Sequence, residues 1–92
     1  MKALVLHVKH VYFAAMQDGS KPEEFRLCTD YWRKRLENNP YSHILIYDGY
    51  PKRGDTGKQL LVPYHGYTVR TINHEHFGAD AVQVYAIKIV LP

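Results

Sequence analysis

The sequence predicts an α+β domain, a small and mostly antiparallel β-barrel carrying two short helices. Three observations lead there. Short apolar segments recur at roughly regular intervals between Gly, Pro and Asn, as strands do when turns separate them. Two other segments repeat apolar residues at three and four positions, the period of a helix. A chain of 92 residues supports one modest hydrophobic core and no second one, so residues 1–92 read as a single domain. Five or six strands with two helices in that length fit a small barrel.

The elements follow in order. Lys2 to Val8 is apolar enough for a first strand. His10 to Asp18 places Val11, Tyr12, Ala14, Ala15 and Met16 at helical spacing, and Gly19 stops the helix because glycine reaches the positive φ that a helix end commonly needs. From Glu24 to Cys28 the pattern alternates. Phe25 and Leu27 are expected to face the core, which leaves Glu24 and Arg26 together on the other face. Thr29 or Asp30 caps a second helix that ends at Asn38-Asn39-Pro40. Ser42 to Asp48 contains the continuous apolar run from His43 to Tyr47, which suits a central strand buried on both faces. Gly49 to Gln59 is a polar loop, and strands are expected at Leu60 to Tyr64, Gly66 to Asn73 and Val82 to Val90, with turns at Pro63, Gly66 and Gly78.

Composition narrows the function. No apolar run approaches the roughly 20 residues of a membrane helix, and the N-terminal segment lacks a signal-peptide cleavage pattern, so a soluble, cytoplasmic protein without membrane attachment is expected. One cysteine, Cys28, excludes an internal disulfide and a cysteine-rich zinc site, and it reads as a small buried residue. The formal charge of +3 matters where it is concentrated. Arg33-Lys34-Arg35 on the second helix and Lys52, Arg53 and Lys58 in the polar loop are the two basic groups. Three consecutive charges on a helix cannot share one face, so part of the first group is simply solvated, opposite Trp32 and Leu36.

The densest chemistry lies between Gly19 and Arg26, where Lys21, Glu24 and Arg26 sit within one turn and one strand. Alternation puts Glu24 and Arg26 on one face and the turn lets Lys21 lean over it. A surface ion pair worth about 0–1 kcal/mol is the plainer reading of these charges. The order of the residues, G-x-K-x-x-E-x-R with Gly19, Lys21, Glu24 and Arg26 at the named positions, resembles the signature of the ASCH domain family, small barrels similar to the RNA-binding PUA fold. The resemblance covers most of the chain and implies a PUA-like barrel with an RNA- or nucleotide-related role.

On that resemblance the expected partner is single-stranded RNA, a nucleoside or a nucleotide, with no metal or cofactor. Lys21 and Arg26 would contact phosphate or a base carbonyl, and Glu24 would accept from an exocyclic amine. Some ASCH-like proteins resemble amidohydrolases that remove the acyl group from N4-acylated cytidine with a lysine, a threonine and a glutamate. Lys21 stands at that lysine, while Glu24 stands where the threonine would be, so Lys21 and Glu24 are the catalytic candidates if the protein is an enzyme. A ribonuclease of the same fold, with Lys21 or Arg26 stabilising phosphorane charge, is the other enzymatic reading.

Other constellations are weaker. Gly54 to Lys58 lacks the glycine and the Ser or Thr of a phosphate-binding P-loop, although Lys52, Arg53 and Lys58 could hold a phosphate in other ways. His74-Glu75-His76 lacks a third well-spaced ligand for a closed metal site, and His7, His10 and His65 have no nucleophile to complete a triad. Of the eight tyrosines, Tyr47, Tyr50, Tyr64 and Tyr67 gather around the basic loop. Tyr47 and Tyr85 are expected in the core, and Tyr50 or Tyr64 would stack on an unpaired base.

Overall fold

The computed structural model describes residues 1–50 and 58–92, apart from the side chain of His76. Strand β1 (Ala3–Val8) leads through helix α1 (His10–Gln17) to β2 (Glu23–Leu27), and helix α2 (Asp30–Leu36) leads to β3 (His43–Asp48), β4 (Gln59–Ile72) and β5 (Val82–Ile89), with a single 3-10 turn at Glu75–Phe77. The strands form one sheet in the order β1-β3-β4-β5-β2. β1 runs parallel to β3, and the remaining neighbours are antiparallel.

The expected barrel is corrected to an open sheet, because its outer strands β1 and β2 do not pair with each other. β4 reconciles the two halves. Its first residues, Gln59 to Pro63, pair with β3 and its later ones, Tyr64 to Ile72, pair with β5. Pro63 and Gly66 therefore do not separate two strands. Pro63, which has no N–H to donate, stands where β4 changes partner, and Gly66 at φ +83 sits in the irregularity between Tyr64 and Tyr67 that bends the strand.

Local signals account for both helices. The buried residues of α1 are Phe13 and Met16, three positions apart, while Val11 is exposed, so the helix rests on a narrower stripe than its apolar content suggests. Thr29 caps α2 by accepting from the Trp32 amide at 3.3 Å. Asn39 closes the other end by donating through Nδ2 to the carbonyls of Lys34, Arg35 and Glu37 at 3.0–3.1 Å, which satisfies acceptors the helix leaves open. Among the described residues no helix is long and apolar enough to cross a membrane.

The core lies between the helices and one face of the sheet, with Leu6, Phe13, Met16, Leu36, Ile44, Ile46 and Ile87 fully enclosed. β3 is central as its composition predicts, but it is buried on one face only. Ile44 and Ile46 are sealed, while Leu45 and Tyr47 are half-covered. Cys28, expected to be buried, is exposed.

Tyr85 is core, at 3 % exposure, and its hydroxyl donates to Glu37 Oε2 at 2.8 Å. Burial, reinforced by that carboxylate, pushes the phenol up from 10.0 to about 12. An unfolded chain ionises this group first, so its contribution is complete below pH 10 and is lost as pH rises toward 12. Denaturant midpoints measured across that range should fall more steeply for the wild type than for Tyr85→Phe. Tyr64 and Tyr67 are also raised by burial, so the difference between the two proteins isolates Tyr85.

Candidate functional site

The open gap between β1 and β2 is where the charged residues of the Gly19–Arg26 segment meet. Gly19, at φ +86, turns the chain out of α1. The backbone then returns against the helix through the Lys21 amide, which donates to the Ala15 carbonyl at 3.0 Å. β2 follows with its faces reversed from the expectation. Glu24 is 7 % exposed and is the one buried charged residue among those described, whereas Leu27 is exposed and Phe25 half-buried. The reason lies in β2 being an edge strand. Its Glu24 side opens on a cavity where Lys21 and Arg26 pair the carboxylate, and Phe25 is covered by Lys21, Arg70 and His74.

Alternation correctly keeps Glu24 and Arg26 together. Arg26 Nη2 donates to Glu24 Oε2 at 2.7 Å and to the His7 carbonyl at 2.9 Å. One guanidinium thus bridges the two unpaired edges of the sheet, from β2 to β1. Its Nε is buried without an acceptor among the described residues. Lys21 Nζ lies 3.8 Å from Glu24 Oε1, close enough for ion pairing and too far for a hydrogen bond. The ammonium also lies over the rings of Tyr12 and Phe25 at 4.9 and 5.1 Å, and Arg26 lies over Trp32 at 4.9 Å. The triad carries one net positive charge set among aromatic faces.

Around it is a cavity of about 460 Å³, with rings of Tyr12, Phe25, Trp32 and Tyr50 among its walls. That volume matches a site for a single small molecule, typically about 300–1,000 Å³. No family model, curated protein or solved structure matches this chain. The functional reading therefore rests on the cavity itself.

His7 and Trp32 were not singled out as site residues by sequence. His7 stacks between Tyr47 at 5.1 Å and Tyr50 at 4.3 Å, nearly parallel to both. Its Nδ1 faces the Gly49 carbonyl at 3.0 Å, and since a carbonyl only accepts, Nδ1 carries a proton and donates. Tyr47, expected in the core, is instead part of this half-buried column. That the sole tryptophan falls shortly after the charged segment, at the start of the second helix, is the one sequence signal that points to Trp32. His7 has none.

The remaining candidates divide. Tyr50 lines the cavity. Tyr64 does not, and packs edge-on to Tyr41 at 5.4 Å beside the end of α2. Lys58 is exposed and does not line the cavity, while Lys52 and Arg53 lie outside the described residues. Among the described residues no group of three or more His, Cys, Asp or Glu side chains could hold a metal ion.

Proposed function

We propose that the chain is an ASCH-type binding module whose cavity takes one nucleotide unit, free or at an unpaired position of single-stranded RNA. The observation that carries this reading is the convergence of Lys21, Glu24 and Arg26 inside an aromatic-walled cavity of about 460 Å³. A nucleotide has the matching parts. Its phosphate or base carbonyl meets Lys21 and Arg26, its base lies against the rings, and an exocyclic amine finds Glu24 Oε1, since Oε2 is already held by Arg26. The cavity suits one such unit and not a folded RNA element.

Calorimetric titration with nucleoside monophosphates, the matching nucleosides and mixed-sequence single-stranded RNA tests the reading. Monophosphates and RNA are expected to bind at low salt and to weaken steeply as salt is added, because cations that hold phosphate release counterions. Nucleosides should bind more weakly. Absence of binding by all three at low salt ends the proposal. A second reading, deacylation of N4-acylated cytidine, draws on the Lys21–Glu24 pair, in which Glu24 would activate water. Consumption of N4-acetylcytidine that disappears in both Lys21→Ala and Glu24→Gln would favour it.

A further inference from the structure

Trp32 is both a wall of the cavity and the start of a path out of it. On the cavity side it carries the Arg26 guanidinium at 4.9 Å. Its ring also meets Tyr31 edge-on, with centroids 5.2 Å apart and planes at 82°. Tyr31 is 57 % exposed, and the Arg35 guanidinium lies 4.1 Å from its ring centre. Arg26, Trp32, Tyr31 and Arg35 therefore form a ladder of cation, ring, ring and cation from the cavity to the outer face of α2.

The charges around that ladder are unevenly engaged. Asp30 is paired with Arg33 at 2.9 Å, and Glu37 accepts the Tyr85 hydroxyl at 2.8 Å. Both carboxylates of the α2 segment are thus occupied, while Lys34 and Arg35 are exposed and face no carboxylate partner among the described residues. The basic last turn also complements the helix dipole, and a Tyr–Arg pair four residues apart supports a helix. Neither effect needs the ring of Tyr31 to be continuous with the cavity wall.

We infer that single-stranded RNA longer than one unit runs from the cavity over α2, its next base against the Tyr31–Arg35 pair and the intervening phosphate near Lys34 and Arg35. The inference rests on the nucleotide reading of the cavity and extends it to a second position. Base stacking on an aromatic side chain, together with one phosphate contact, is expected to make a dinucleotide bind about 10-fold or more tightly than the corresponding mononucleotide.

Titration of a mononucleotide and a dinucleotide against the wild type, Tyr31→Ala, Tyr31→Phe, Arg35→Gln and Tyr50→Ala tests it. Tyr31→Ala and Arg35→Gln should remove most of the dinucleotide gain while leaving mononucleotide affinity within about twofold, since neither residue lines the cavity. Tyr31→Phe should keep the gain, which a charge or helix-stability effect of the tyrosine hydroxyl does not explain. A wild type that binds both ligands equally overturns this inference alone, as does a gain that survives Tyr31→Ala. A gain abolished only by Tyr50→Ala overturns it too, because the strand then leaves past the His7 column. Failure of both ligands to bind the wild type ends the cavity reading together with this one.

Discussion

Glu24→Ala is expected to lower stability by about 2–3 kcal/mol, which for a domain of this size is a fall of roughly 10–20 °C in thermal midpoint. The cost is that of orphaned charge. Glu24 is the buried anion shared by Arg26 Nη2 at 2.7 Å and Lys21 Nζ at 3.8 Å, and the two cations keep only 20 % and 16 % of their side-chain exposure. Removing the carboxylate leaves two partly desolvated positive groups facing each other. A fully buried pair broken in this way costs about 3–5 kcal/mol, and the open mouth of the cavity lets some water return, which brings the figure down. Glu24→Gln keeps an acceptor for Arg26 and should fall between the two. Thermal denaturation of the three proteins at low and high salt checks this, and a loss below about 0.5 kcal/mol for the alanine variant would show that the triad is solvated as an ordinary surface pair.

Lys21→Ala is expected to weaken nucleotide binding by about 10- to 100-fold, the loss of one charge-assisted contact, and to reduce the salt slope of binding by about one. Its effect on folding should be smaller than that of Glu24→Ala. Glu24 retains Arg26, and the substitution removes one cation from the rings of Tyr12 and Phe25 without stranding another. Arg26→Ala is a different case. Treated as an exposed charge, as alternation alone suggests, it would leave the thermal midpoint unchanged. The structure makes it the connection between β1 and β2 and the hydrogen-bonded partner of a buried carboxylate, so binding and stability should fall together. A titration of Lys21→Ala that overlays the wild type contradicts the assignment of Lys21.

Features set by local contacts are legible in the sequence, and those set by distant ones are not. The cap at Thr29 or Asp30, the Gly19 stop, and the placing of Glu24 beside Arg26 are set by residues within a few positions of one another; Thr29 is the cap, Gly19 turns the chain at positive φ, and Glu24 pairs with Arg26. Which side of β2 faces inward is not local. With Phe25 and Leu27 the apolar pair, alternation pointed them inward, but at this edge strand beside an open cavity the inward position belongs to Glu24, whose charge Lys21 and Arg26 pair there. Barrel closure fails to be legible for a similar reason, since it depends on whether two strands far apart in sequence come within pairing distance. His7 enters the site only because β1 lies across the gap from β2, and Trp32 because α2 packs beside that gap. β4 shows the converse, since Pro63 and Gly66 are strong turn signals that a long strand absorbed as a change of partner and a bend.

Trp32 is a built-in reporter of nucleotide entering the cavity. It is the only tryptophan in the chain and lines the cavity under Arg26, so tryptophan emission reports on that site with no label attached. Titrating a nucleoside monophosphate into the folded protein at low salt should change the emission in a saturable way, and added salt should shift the curve to higher ligand concentration. The same titration of Lys21→Ala should move it further. Emission that stays unchanged through millimolar ligand, in a protein still showing its full unfolding transition, would contradict the claim that the Lys21–Glu24–Arg26 cavity receives a nucleotide.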